Sequence, residues 1–492
     1  MFESAELGHK IDKQAYEQEV PQLREALLDA QFDLAKARKF PVIVLVGGVD
    51  GAGKGETVNL LNEWMDPRHI QVHAMDAPTP EERERPPMWR FWRALPPKGK
   101  IGVFFGSWYT GPIVGRVLGR TGMAELDLRI DEINRFEKML TDEGAVVIKF
   151  WFHLSKKAQS KRLKALEKNP NTRWRVTPLD WERFKLYDKF RRWSEYTLRE
   201  TSTSTAPWIV VEGADERYRN VTVGRILLKA LQERLSSDTP QAAVAAAPLP
   251  PHVDGLNVIQ SLDLSLSLSK KDYRKALEEY QGRLHHLVRT PEFKKHHSLV
   301  VAYEGVDAGG KGGNIRRVTA AIDARYYTII PVAAPTDEER AQPYLWRFWR
   351  HVPGKGRVTI FDRTWYGRVL VERIEGFCAE ADWLRAYGEI NDFEEQLVRS
   401  NILIAKFWIT ISKDEQLKRF QNREETSFKR FKITDEDWRN RDKWDAYEQA
   451  VCDMVDRTST DLAPWTLVEG NDKYYARIKV LRTLCDTIAA AL

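Results

Sequence analysis

Along this 492-residue chain the apolar positions take two forms: short unbroken runs, and longer stretches in which they recur every three or four residues. The unbroken runs are PVIVLVGG from Pro41, IGVFFG from Ile101, AVVIKFWF from Ala145 and WIVVEG from Trp208. They return as SLVVAYEG from Ser298, RVTIFD from Arg357, ILIAKFWI from Ile402 and WTLVEG from Trp465. Runs of about four to eight residues predict buried strands, and the stretches between them predict helices with one apolar face. That alternation predicts a parallel sheet with helices on both faces, an α/β/α sandwich. A long amphipathic helix precedes each set, from Ile11 and from Lys270.

The two sets are one unit written twice. GVDGAGKG at Gly48 matches GVDAGGKG at Gly305, WRFWR at Trp89 matches Trp346, KFW at Lys149 matches Lys406, and APW at Ala206 matches Ala463. Each pair is 257 positions apart. A single offset held without insertion means a duplicated domain. The predicted organisation is a first domain over residues 1–235, an Ala/Pro-rich linker over 236–256 and a second domain over 257–492. Each half is long enough to bury its own core.

Bulk charge changes this picture little. The 77 Lys+Arg exceed the 71 Asp+Glu by 6, a weak hint of an anionic partner. The three cysteines, Cys378, Cys452 and Cys485, have no metal-ligand spacing and are expected as reduced thiols. No secretion signal or membrane-spanning run is evident, so a cytoplasmic protein is expected. Trp346 and Trp349 suit core packing better than nucleic-acid stacking, and no nucleic-acid partner is expected.

The chemistry is expected at strand ends, where ligands gather in parallel sheets. GVDAGGKG follows a strand and opens a helix, with Gly305, Gly309, Gly310 and Lys311 meeting the phosphate-cradling P-loop pattern. Such a loop turns its amides and the helix N-terminus toward phosphate, and the lysine reaches the outer phosphoryl groups. Gly312 stands where Ser or Thr usually binds Mg²⁺, while Asp307 lies inside the loop as a candidate metal-holding acid. At a second strand end, IFDRTWYGR supplies Asp362, the other candidate metal ligand, with Arg363 and Arg368 to neutralise a transferring phosphoryl group. Further basic positions, among them Arg347, Arg419, Arg423 and Lys432, could line a path for a long polyanion.

With its P-loop lysine followed by glycine, its DRTWYGR strand end and its RFWRHVPGKG segment, the second half resembles the polyphosphate kinase 2 family. The first half is similar in frame, so the resemblance covers nearly the whole chain. It implies tandem P-loop kinase-like domains, Mg²⁺ as cofactor, and catalytic roles for Asp307, Lys311, Asp362, Arg363 and Arg368. It also implies phosphate or nucleotide contacts for Gly305, Gly309, Gly310, Gly312, Arg347, Arg419 and Arg423, and a helical lid over Lys418–Trp438. Fused pairs in this family move the terminal phosphoryl of inorganic polyphosphate to AMP, giving ADP. ADP or GDP as acceptor, polyphosphate synthesis in reverse, an ATP-dependent kinase and a non-catalytic polyphosphate binder stay open, as does a homo-oligomer.

At the 257 offset the first half keeps Asp50 and Lys54 but has Phe105 for Asp362, Gly106 for Arg363, Gly111 for Arg368, Gly47 for Glu304 and Glu216 for Lys473. Glu56, replacing Gly313, puts a negative charge where phosphate would bind. The first domain is expected to be catalytically silent or nearly so.

Overall fold

The computed structural model describes residues 1–237, 257–426 and 433–492. The expected linker, apart from its first two residues, and positions 427–432 of the expected lid lie outside the described residues. The chain divides into two units. One comprises Met1–Pro78, Arg90–Ala243 and Pro335–Trp346; the other comprises Thr79–Trp89, Val244–Ala334 and Arg347–Leu492.

In the first unit the strands are β1 (Val42–Gly48), β2 (Ile70–Ala74), β3 (Ile101–Phe105), β4 (Val146–His153) and β5 (Trp208–Glu212). They form one parallel sheet in the order β2-β3-β1-β4-β5. In the second unit β6 (Ser298–Gly305), β7 (Tyr327–Pro331), β8 (Val358–Asp362), β9 (Ile402–Thr410) and β10 (Trp465–Glu469) repeat it as β7-β8-β6-β9-β10. The predicted parallel α/β architecture is therefore what the chain adopts. β6 is buried along most of its length, as strands covered on both faces must be. β2 and β7, absent from the predicted runs, lie at sheet edges with most of their residues partly or fully exposed.

Each core is closed by a polar cluster that the repeated Trp-Tyr pair serves. Lys406 is fully buried and its Nζ donates to Glu394 Oε2 (2.8 Å), Tyr366 OH (2.9 Å) and the Thr458 carbonyl (2.7 Å). Trp365 Nε1 and Tyr366 OH donate to the other Glu394 oxygen, at 3.0 and 2.6 Å. The first unit repeats every partner with Lys149, Glu137, Tyr109, Thr201 and Trp108. A buried ion pair is tolerable only when fully hydrogen-bonded, and losing one partner costs about 3–5 kcal/mol. That is why the Trp-Tyr frame persists where the neighbouring charges do not. Trp346 and Trp349 are also buried.

Candidate active site

The P-loop leaves β6 and enters the helix Lys311–Thr319 through Gly310, whose φ of 113° is open to glycine and strained for other residues. Gly305 has a φ of 147°, and a Cβ there would meet the Ile409 carbonyl oxygen at 2.5 Å. Close approach of β9 thus requires glycine at the loop entry. Lys311 Nζ donates to the Gly305 carbonyl at 2.6 Å, folded back over the loop. Asp307 is fixed from two sides: Arg363 Nη2 lies 3.3 Å from Oδ1, and Asn440 Nδ2 donates to Oδ2 at 2.8 Å.

Arg419 borders the space over the P-loop and also holds the loop in place. Its Nε donates to Glu415, its Nη1 to the carbonyls of Ala308 and Gly309, and its Nη2 to those of Gly470 and Asn471. A guanidinium has five N–H donors, so Arg419 spends its hydrogen-bonding capacity stapling the P-loop to the end of β10. Burial lowers its pKa, the cost of placing a cation among carbonyls.

Asp362 ends β8, and among the described residues its carboxylate accepts no hydrogen bond. Arg363 follows at a φ of 64°. Arg368 turns away to pair with Glu372 (2.9 Å), and Arg347 Nη2 donates to the Ala333 carbonyl (3.0 Å). Neither borders the cavities described next, in contrast to Arg423, which does.

A cavity of about 870 Å³ opens over the P-loop, bordered by Asp307, Gly309, Gly310, Lys311, Gly312, Asp362 and Arg363. Arg316, Lys418, Arg419, Arg423, Lys473 and Arg477 also line it, and with Lys311 and Arg363 they outnumber the lining acids and give it a net positive charge. On the other side of Asp307 lies a narrower cavity of about 110 Å³ with Ile259, Leu370, Trp444, Tyr447 and Val451 on its apolar walls and Glu304, Asn440 and Glu448 among its polar ones. Burial and the carboxylates around it push the Tyr447 hydroxyl well above its ordinary pKa, so it stays protonated and donates to Asn440 Oδ1 at 3.2 Å. Asn440 and Arg477 belong to neither the P-loop nor the strand-end motif, and Lys418 is expected only as the first residue of the lid; the packing of three helices brings all three to the loop. Among the described residues no group of three or more His, Cys, Asp or Glu could hold a metal. Mg²⁺ needs no such group, since one or two carboxylates with substrate phosphates and water satisfy it, and Asp307 and Asp362 border one cavity.

The family model described as Polyphosphate kinase 2 (PPK2) matches residues 10–239 and again 267–492. The chain belongs to the polyphosphate kinase 2 family. It is 61% identical to the polyphosphate:AMP phosphotransferase of Pseudomonas aeruginosa, covering 100% of this chain and 99% of that one. It is 39% identical to the polyphosphate:AMP phosphotransferase of Acinetobacter johnsonii, over 95% of this chain and 96% of that one. A crystal structure attributed to polyphosphate kinase 2 of P. aeruginosa superposes with a TM-score of 0.91 at 59% identity, covering 100% and 99% of the two chains.

The two polyphosphate kinase 2 domains differ where substrate would sit. In the first, the Glu56 carboxylate lies on the P-loop helix and is held by Arg162, Arg175 and Arg219, each at 3.1 Å. An internal anion thus stands on the first turn of the P-loop helix, neutralising three arginines. Phe2, at the position equivalent to Ile259, is buried with its ring stacked on His153 at 4.5 Å between centroids. Lys54 still folds back onto the Gly48 carbonyl (2.7 Å) and Asp50 (3.3 Å). Phe105, Gly106 and Gly111 offer no charge in place of Asp362, Arg363 and Arg368.

Proposed function

We propose that this chain transfers the terminal phosphoryl group of inorganic polyphosphate to AMP, forming ADP, in the cytoplasm, and that the second domain does the chemistry. The observation that carries this reading is a single cavity in which the P-loop, Asp307, Asp362 and Arg363 meet six further cations. A phosphate chain bears charge on every unit, so this many cations around one cavity exceeds what one nucleotide tail would require. The narrower cavity, with Trp444 and Leu370 on its walls, suits the adenine and ribose of the acceptor.

In this assignment the P-loop amides and Lys311 hold the donor's terminal phosphates, and Arg363 faces the group in transfer. An oxygen of the AMP phosphate attacks the terminal phosphorus. A new P–O bond forms, the bridging P–O bond breaks, and the polyphosphate leaves one unit shorter. The acceptor phosphate is already largely ionised near neutral pH, so no general base is needed and the protein's work is positioning and charge neutralisation. Asp307 and Asp362 would hold Mg²⁺, which neutralises phosphoryl charge when bound.

Incubating the chain with polyphosphate, Mg²⁺ and AMP in the absence of ATP should yield ADP. Parallel reactions with ADP, GMP or GDP as acceptor and with ATP as donor rank the alternatives. Strict dependence on ATP would refute the donor assignment, and ADP or GDP outpacing AMP would refute the acceptor.

A further inference from the structure

Glu304, the penultimate residue of β6 beside the P-loop, is buried, at 6% exposure, yet no step of the proposed transfer uses it. Burial raises its pKa against the opposing pull of Lys311 and of its hydrogen bonds to Thr364. Its Oε1 accepts from both the Thr364 N–H (2.7 Å) and the Thr364 hydroxyl (2.8 Å). The residue before Thr364 is Arg363, whose φ of 64° is uncommon for a long side chain and survives only where the surroundings impose it. The Arg363 N–H donates to the Tyr303 carbonyl at 3.0 Å. Two successive amides of this turn are therefore anchored to two successive residues of β6, and the anchored turn brings the Arg363 guanidinium to Asp307 at 3.3 Å.

The first domain shows the same turn without that anchor. Gly47 replaces Glu304, and Gly106, with a φ of 79°, replaces Arg363. The N–H of Ser107, the counterpart of Thr364, is satisfied locally by the Thr110 hydroxyl at 3.2 Å. The carboxylate and the arginine are thus present together in one domain and absent together in the other. Glycine adopts the turn unaided.

We infer that Glu304 is a positioning residue: through Thr364 it holds Arg363 in the left-handed conformation that aims its guanidinium at Asp307 and at the phosphoryl group in transfer. The inference rests on the proposed phosphoryl transfer for its kinetic part, while its geometric part stands on the turn alone.

The test is a cycle in the full chain copying the first domain's own pair: Glu304→Gly, Arg363→Gly and both together. Glu304→Gly should lower kcat by about 10²-fold, the scale of a slightly misplaced catalytic group, with KM for polyphosphate and AMP nearly unchanged. Glu304→Gln keeps an oxygen for Thr364 and should recover most of that loss. The double variant should be no slower than Arg363→Gly, because glycine needs no support and leaves no guanidinium to aim. Wild-type kcat in Glu304→Gly, no recovery with Gln, or multiplied losses in the double variant would each overturn the assignment. Thermal midpoints of the same four proteins give a readout independent of which nucleotide proves to be the acceptor. Glu304→Gly should lower the midpoint far more beside Arg363 than in the Arg363→Gly background. Equal shifts in the two backgrounds would defeat the inference even if no turnover were found, and a Glu304→Gly chain that folds only together with Arg363→Gly would support it.

Discussion

Asp362 and Lys54 make opposite demands on the chemistry although each stands at a strand end or P-loop that the repeat places in register. Asp362 borders the cationic cavity, whereas Lys54 starts a helix on which Glu56 already pairs with three arginines. Asp362→Ala should abolish ADP formation by the whole chain, and Lys54→Ala should leave most of it; initial rates of ADP release from polyphosphate and AMP measure both. Equal losses would overturn the division between the domains. Arg419 makes a separate demand, since its planar fork reaches four carbonyls and a carboxylate together. Arg419→Lys keeps the charge but not the fork. It should lower the thermal midpoint, by an amount corresponding to about 2 kcal/mol or more, and slow turnover as the P-loop loosens. An unchanged midpoint would return Arg419 to the role of a direct phosphate contact.

Among the elements, the two P-loop helices are the sharpest contrast. Lys311–Thr319 carries two glycines after its lysine, and a Cβ at Gly312 would meet nothing within 4 Å. Lys54–Trp64 carries Glu56 in the same turn, paired with three arginines. Removing that carboxylate leaves cations around an intact anion-binding helix end. Glu56→Gly is therefore expected to add one binding event for inorganic tripolyphosphate per chain over the wild type, counted by titration calorimetry. Glu56→Gln, which keeps the volume, serves as the milder variant, and unchanged stoichiometry in both would show that the cradle is closed for another reason. Beneath these helices the buried cluster makes a stability prediction. Lys149→Met strands the Glu137 carboxylate and should cost about 3–5 kcal/mol, read as a lowered unfolding midpoint.

For the molecule as a whole, duplication has separated packing from catalysis. Both units keep the strand order, the P-loop turn and the Lys-Glu-Tyr cluster, while the second alone keeps Asp362, Arg363 and Glu304. Inactivating one site at a time within the full chain is the direct measure of that separation.

The sequence by itself determined the duplication, the parallel α/β class and the P-loop with its acid and lysine. These are local in the chain: an unbroken apolar run needs burial on both faces, and a glycine loop between strand and helix has few other uses. Eight strands were legible for that reason, whereas β2 and β7 were not, because an edge strand with exposed residues lacks the apolar signal. Only the tertiary structure decided which cations face the cavity. Arg368, Arg347, Arg419 and Arg423 look equivalent in sequence, yet Arg368 pairs with Glu372 and Arg347 with the Ala333 carbonyl, and neither borders the cavity, whereas Arg419 and Arg423 do. It likewise brought Asn440 to Asp307, 133 positions away, and Glu304 to Thr364, 60 away. A side chain's partner is set by what packs beside it in space, and a motif of neighbouring residues carries no record of that.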